Sequence, residues 1–233
     1  MAQQRYLIVK DDPKAVGAEA FRTLRTNLQF TSPDRELRTL LVTSAGPDEG
    51  KSTVVANLAV AWAQTGQRVI LVGCDLRKPV LHRIFGIPNA PGLTSLLTGQ
   101  AELDSVILDS GIENLEVIPS GPIPPNPAEL LQSKVMTEII ELLKERSDIV
   151  IFDAPPIVAV TDAAVLASQM DGTLLVISAH SVPRDMALHA KALLEQANAR
   201  LLGVVLNRVR PQDQRGYEYY YYYYHTDEEL ADD

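Results

Sequence analysis

Ala45-Gly46-Pro47-Asp48-Glu49-Gly50-Lys51-Ser52-Thr53 follows the apolar run Leu40-Leu41-Val42 and opens a helical pattern that continues to Thr65. A glycine-bearing loop between a buried strand and a helix, ending in Gly-Lys-Ser-Thr, is the layout of a phosphate-binding loop. The reason is chemical. Backbone N–H groups of such a loop converge on phosphate oxygens, and the helix N-terminus adds a partial positive charge. Lys51 is placed to reach the β/γ oxygens of ATP, and the Ser52 hydroxyl to ligate Mg²⁺. Gly46, Pro47, Asp48, Glu49, Gly50, Lys51, Ser52 and Thr53 are therefore the candidate nucleotide-binding residues. Ala45 stands where the commonest pattern has its first glycine. A turn that binds nothing is the alternative, and the strand-loop-helix context argues against it.

The same strand-then-helix alternation extends outward from the loop. Val69 to Val72, Leu115 to Ile118, Ile149 to Phe152, Leu174 to Ile177 and Leu201 to Leu206 read as further strands. Most are near-continuous Val/Ile/Leu, as expected when both faces of a parallel sheet are covered. Between them lie helix candidates: Lys51 to Thr65, closed by Gly66; Ala128 to Arg146; and Arg184 to Asn198, with Pro183 at its start. The prolines between Pro119 and Pro127 make a rigid loop. The expected fold is α/β, a single P-loop NTPase domain over residues 36–210 with a mostly parallel sheet flanked by helices. Residues 1–35 form an N-terminal segment. Residues 211–233, polar, acidic and tyrosine-loaded, are expected to be a flexible tail.

Two strand ends carry carboxylates, Asp75 after Val69 to Val72 and Asp153 after Ile149 to Phe152. Parallel strands present their C-terminal ends on one edge, so both are expected beside Lys51. In P-loop proteins an Asp in the position of Asp153 orients the magnesium shell. An Asp that merely caps the turn is the alternative. Lys51, Asp75 and Asp153 are the candidate catalytic residues, and Ser52, Asp75 and Asp153 the candidate metal ligands. Cys74 should point away from Asp75 and read as buried filler. The four histidines show no metal-like or triad-like spacing.

Composition narrows the function. The 233 residues carry a net charge of −9, which argues against nucleic acid as the ligand. A single cysteine suits a reducing, cytoplasmic setting. No apolar run approaches the roughly 20 residues of a membrane helix, so membrane association is expected through a partner protein.

Two segments point beyond the nucleotide. Glu19, Arg22 and Arg25 sit at i, i+3 and i+6 of a helical pattern, on one broad face. Spacing alone favours an exposed helix with an ion pair worth a few tenths of a kcal/mol. The second segment is the tail, where Tyr217, Tyr219, Tyr220, Tyr221, Tyr222, Tyr223 and Tyr224 account for all but one of the 8 tyrosines. A sticky segment or a base-stacking platform is the alternative to a kinase substrate. The absence of Lys or Arg after Arg215 argues against base stacking. From Asn207, ten extended residues span about 33–36 Å, enough for Tyr217 to reach a catalytic site.

These motifs together resemble bacterial tyrosine kinases of the capsule and exopolysaccharide type, over nearly the whole chain. The loop at 45–53 corresponds to the family's Walker A motif, Asp75-Leu76-Arg77 to the end of its A-prime motif, and Ile151-Phe152-Asp153 to Walker B. The tyrosine run resembles the family's autophosphorylation cluster, and Glu19, Arg22 and Arg25 match the spacing that assembles its members into rings. The resemblance implies an ATP- and Mg²⁺-dependent kinase that phosphorylates its own tail within a homo-oligomeric ring and regulates polysaccharide synthesis and export. It also implies a separate membrane-embedded co-polymerase or activator partner, and Asn207 as an adenine ligand. One position departs. The family's A-prime motif carries two aspartates one residue apart, and the first, the base for the incoming hydroxyl, is Gly73 here. That leaves ATP binding intact, slows transfer, and predicts that an aspartate restored at 73 raises it. A nucleotide-gated assembly ATPase of the same fold is the second reading. Partition- or division-site ATPases, a third, carry a lysine where this chain has Gly46 and have no tyrosine run.

Overall fold

The computed structural model describes residues 6–31 and 36–210. The tail and its tyrosines, and the boundary near residue 35, lie outside the described residues. The chain begins with α1 (Ile8–Asp11) and α2 (Val16–Phe30), then β1 (Thr39–Ser44), α3 (Lys51–Ala63) and β2 (Val69–Gly73). Three short helices follow, α4 (Leu81–Phe85), α5 (Leu93–Leu97) and α6 (Leu103–Val106), before β3 (Leu108–Ile112) and β4 (Leu115–Ile118). Next come α7 (Pro127–Leu131), α8 (Lys134–Arg146), β5 (Ile149–Asp153) and α9 (Asp162–Ala167). The described chain closes with β6 (Gly172–Ser178), α10 (Arg184–Gln196) and β7 (Leu201–Asn207).

The seven strands form one sheet in the order β3-β4-β2-β5-β1-β6-β7, parallel throughout except for β3 against β4. All six expected strands are present. The edge strand β3 was not expected, because its sequence Leu-Asp-Ser-Gly-Ile lacks the apolar run of a strand covered on both faces. Its register shifts between Asp109 and Ile112, which is how an edge strand avoids pairing further.

The alternation of side chains along each strand splits the core in two. Leu40, Val42, Leu71, Ile151 and Val176 face α1 to α4, and Leu41, Val72, Phe152 and Ile177 face α5 to α10. Helix α3 is buried around nearly its whole circumference, because the sheet covers one side and α2 the other. This is why Val54 to Ala63 is apolar without a polar stripe. Residues 7–28 supply Leu7, Val9, Ala18 and Leu28 to the same core.

The single helix expected over Ala128 to Arg146 is two. Helix α7 stops at Leu131, and extended Ser133 caps α8, its hydroxyl accepting the Met136 N–H at 3.2 Å. A serine at an N-cap satisfies one of the orphan donors of the first turn, so the new start outcompetes a continuous helix.

Candidate functional site

Register brings the site to one edge. Val42 pairs with Asp153, and Asp153 with Gly73, so the loop after β1 opens on the same edge as the ends of β5 and β2. Gly50 is the N-cap of α3 at φ 83°, in the left-handed region that glycine tolerates. A Cβ there would also lie 2.3 Å from Asn207 Nδ2 and displace that side chain. Asn207, at the end of β7, donates Nδ2 to the Glu49 carbonyl at 2.7 Å and braces the loop from the side. The Ser44 hydroxyl donates to the Gly46 carbonyl at 2.8 Å.

Glu49 is buried, and its carboxylate does not face solvent. Oε2 accepts the Ser178 N–H at 2.9 Å and Oε1 accepts the Gly46 N–H. The side chain is thus a strut between the loop and the end of β6, and what it offers a nucleotide is its backbone. Pro47 and Asp48 are exposed at the tip, while Ser52 and Thr53 are half-buried on the first turn of α3.

Lys51 is the centre of the arrangement. Its ammonium pairs with Asp153 Oδ1, lies 3.8 Å from Asp75 Oδ2 and 3.2 Å from the Ser52 hydroxyl. The two carboxylates and the hydroxyl expected around it are all there. Burial pushes the Asp75 carboxyl above its ordinary value, opposed by Lys51 and by the Lys78 N–H, which donates to Oδ1 at 2.9 Å. One lysine therefore faces two buried acids. Cys74, between them, is fully buried in the opposite core, and burial pushes its thiol well up, so it is filler as expected.

The oxygens of Ser52, Asp75 and Asp153 are the hard donor set that Mg²⁺ takes. Among the described residues no group of three or more His, Cys, Asp or Glu could hold a metal alone. Such an ion would need phosphate oxygens too, as is usual for Mg²⁺.

At Gly73 the structure adds what the sequence did not predict. A Cβ there would stand 2.7 Å from the Ser120 hydroxyl and 3.1 Å from the Ser120 nitrogen, so the position is closely covered by the chain leaving β4. An aspartate cannot simply be added.

On α2, Glu19 and Arg22 pair at 2.9 Å, and Arg22 also donates to the Pro13 carbonyl at 2.8 Å. Arg25 turns inward and donates to the Ala61 carbonyl in the last turn of α3 at 3.0 Å. Phe21 and Leu24 pack on the chain's own core. The two arginines thus do different work. Arg25→Ala is expected to lower the melting temperature by about 2–6 °C, since a charged donor leaves an orphaned helix carbonyl. Calorimetry on the dilute chain checks this.

A sheet of this order, with a lysine from the loop after β1 facing two strand-end carboxylates, defines a P-loop NTPase, and that architecture implies nucleotide binding. The chain matches the AAA domain family over residues 46–186. It is 44% identical to tyrosine-protein kinase YwqD of Bacillus subtilis over 216 residues, covering 93% of this chain and 91% of that protein. The chain belongs to the bacterial tyrosine-protein kinases of the YwqD, CapB and CpsD type. Its fold superposes on the chimerical protein CapA2B2 with a TM-score of 0.85 at 41% identity, covering 88% of this chain and 92% of that one. For the kinase domain of the Escherichia coli tyrosine kinase ETK the TM-score is 0.84 at 34% identity, with 90% and 84% covered. Likeness to the septum site-determining protein MinD of Pyrococcus horikoshii is lower, with a TM-score of 0.63 at 25% identity and 76% and 75% covered. The division-ATPase reading yields to the kinase family on that difference.

Proposed function

We propose that this chain is an ATP-dependent protein-tyrosine kinase that phosphorylates the tyrosine cluster of its own tail, between subunits of a ring. The observation that carries the reading is Lys51 at the start of α3, facing both Asp75 and Asp153. When ATP arrives, Lys51 exchanges its carboxylate partners for the β/γ-phosphates, freeing both acids. Ser52, Asp75 and Asp153 would then hold Mg²⁺, whose charge offsets that on the transferring phosphoryl group. Backbone N–H groups of 48–53 cradle the phosphates, and Asn207 flanks the base. Phosphoryl transfer depends mainly on positioning and electrostatics, so this set can act without a strong base. Incubation with Mg²⁺-ATP and mass spectrometry of the tail tests the reading; tyrosines that stay unmodified count against it.

Asp153→Asn is expected to reduce magnesium-dependent transfer by about 10²-fold while the fold persists, because Asp75 remains to face Lys51. Circular dichroism and initial phosphotyrosine rates at graded Mg²⁺ separate the two effects. For the ring, Arg22→Ala should lower the oligomeric state measured by light scattering and slow tail phosphorylation on dilution. An oligomer that survives the change returns α2 to an ordinary outer helix.

No helix among the described residues is long and apolar enough to cross a membrane. The family resemblance implies membrane attachment through a separate polysaccharide co-polymerase or activator, and likeness to the chimerical protein CapA2B2 supports that assignment. The second reading, a nucleotide-gated assembly ATPase with little transfer, is favoured by one observation, the covered Gly73. A tail that stays unphosphorylated while ATP changes the oligomer size selects it.

A further inference from the structure

Arg77 and Asp162 form an ion pair whose place in the fold suggests more than stability. Arg77 Nε donates to Asp162 Oδ2 and Nη2 to Oδ1, both at 2.9 Å, the two parallel bonds of a planar fork on a carboxylate. Asp162 is wholly buried at the start of α9, while the Arg77 side chain is 41% exposed.

The fork spans two loops. Arg77 stands two residues beyond Asp75, between Leu76, which is anchored in the core, and Lys78, whose N–H is bound to the Asp75 carboxylate. Asp162 stands at the far end of the loop that leaves β5 at Asp153. The loop after Asp153 has its own ties: Ala154 N–H donates to the Val42 carbonyl and Ile157 N–H to the Ser44 carbonyl, at 3.0 and 2.9 Å. The Asp153 side is thus bound to β1 directly, and the Cys74 N–H, just before Asp75, donates to the Asp153 carbonyl at 2.9 Å; the fork adds a second tie on the far side of Asp75.

We propose that Arg77 is a positioning residue, whose fork on Asp162 holds the 75–78 loop so that Asp75 stands at a fixed place relative to Asp153 and Ser52. The inference rests on the nucleotide site proposed above and deepens it. Mg²⁺ demands near-octahedral geometry at short distances, so a small drift of one carboxylate weakens the cation's hold. The phosphate loop is set independently by Glu49, Ser44 and Asn207. Loss of the fork should therefore change the cation requirement and spare nucleotide binding in the cation's absence. A bond that only stabilises α9 would change neither.

The test titrates a fluorescent ATP analogue against the full chain at graded Mg²⁺, with melting temperature measured in parallel. For Arg77→Gln the half-saturating Mg²⁺ should rise about 10–100-fold, the range for partners that orient metal ligands. Affinity in EDTA should change less than about twofold, well inside the smallest step of that range. Arg77→Gln leaves a buried charge unpaired and can fail to fold, so the double variant Arg77→Gln/Asp162→Asn, which removes that charge, is measured beside it. The double variant should melt near the unaltered chain and keep the raised Mg²⁺ requirement. A wild-type requirement in a folded single variant, or in the double variant, overturns the proposal. Absence of nucleotide binding by the unaltered chain overturns the site and the fork together. A raised requirement in samples that never form phosphotyrosine supports the fork and sinks only the kinase reading.

Discussion

Lys51→Met is expected to abolish tail phosphotyrosine and to weaken ATP binding. The expected loss of rate is at least about 10²–10³-fold, the usual cost of removing one preorganised group aimed at transition-state charge. Methionine keeps most of the buried stem, so the change is chiefly one of charge. It also exposes the second task of this lysine. Lys51 is the cation shared by two buried acids, and removing one member of a buried pair costs about 3–5 kcal/mol. Part of that cost is escaped by proton uptake, because burial already biases Asp75 toward its neutral form and Lys51 opposes that bias. A carboxyl whose folded pKa lies above its unfolded value contributes stability at low pH that is lost as pH rises through the folded pKa. The variant's melting deficit in magnesium-free buffer should therefore grow as pH rises above the ordinary carboxylate range. Unchanged phosphotyrosine with unchanged nucleotide affinity would sink the P-loop assignment. A deficit flat from pH 4 to 7 would instead remove Asp75 as the acid Lys51 neutralises.

What could be read from the sequence was whatever the chain writes locally. Strands β1, β2, β5 and β6 were legible because a strand covered on both faces must be apolar along its length, while β4, with its exposed Glu116, and the half-exposed β7 were legible from their shorter apolar runs. Lys51, Asp75 and Asp153 were legible because a parallel sheet delivers its strand ends to one edge. Strand β3 was hidden by being short, antiparallel and half-exposed. The break at Ser133 was visible in principle, since a serine before an apolar pattern is a start signal, but the helical periodicity on either side masked it.

Contacts between residues distant in sequence left no trace. Glu49 looks like a polar loop residue and proves to be a buried strut because Ser178, far along the chain, turns its N–H toward it. Arg77 and Asp162 are 85 positions apart, and neither position marks the other. Arg25 looked as available to a neighbour as Arg22, and only the packing of α2 on α3 shows that it is spent within the chain.

Gly73 is where sequence and structure give opposite advice. By pattern, Gly73→Asp should restore a base beside Asp75 and raise transfer. By packing, the new Cβ meets Ser120, itself buried, at 2.7 Å from its hydroxyl and 3.1 Å from its nitrogen. The hydroxyl can rotate away; the nitrogen belongs to a backbone that follows β4, paired with β2 up to Val72 and Ile118. Overpacking of this kind costs about 1–3 kcal/mol, or about 2–12 °C of melting temperature for a chain of this size. The single variant is therefore expected to lose stability and to gain little rate, since strain at the end of β2 displaces Asp75 as well. Gly73→Asp with Ser120→Ala removes the nearest clash and leaves only the backbone nitrogen to give by a few tenths of an ångström. The double variant is expected to raise the initial phosphotyrosine rate by about 10-fold or more, at the low end or below the 10²–10⁴ range of a positioned general base. ATP affinity should hardly change, because an added carboxylate repels the phosphates about as much as it helps order the site. The measurement is initial rate at saturating Mg²⁺-ATP for the unaltered chain, both single variants and the double variant. A fast Gly73→Asp single variant would show that Ser120 yields more readily than its burial suggests. A double variant that is stable yet no faster would show that Gly73 is not what limits transfer, and that Ser120 packs against a position from which no carboxylate reaches the tyrosine.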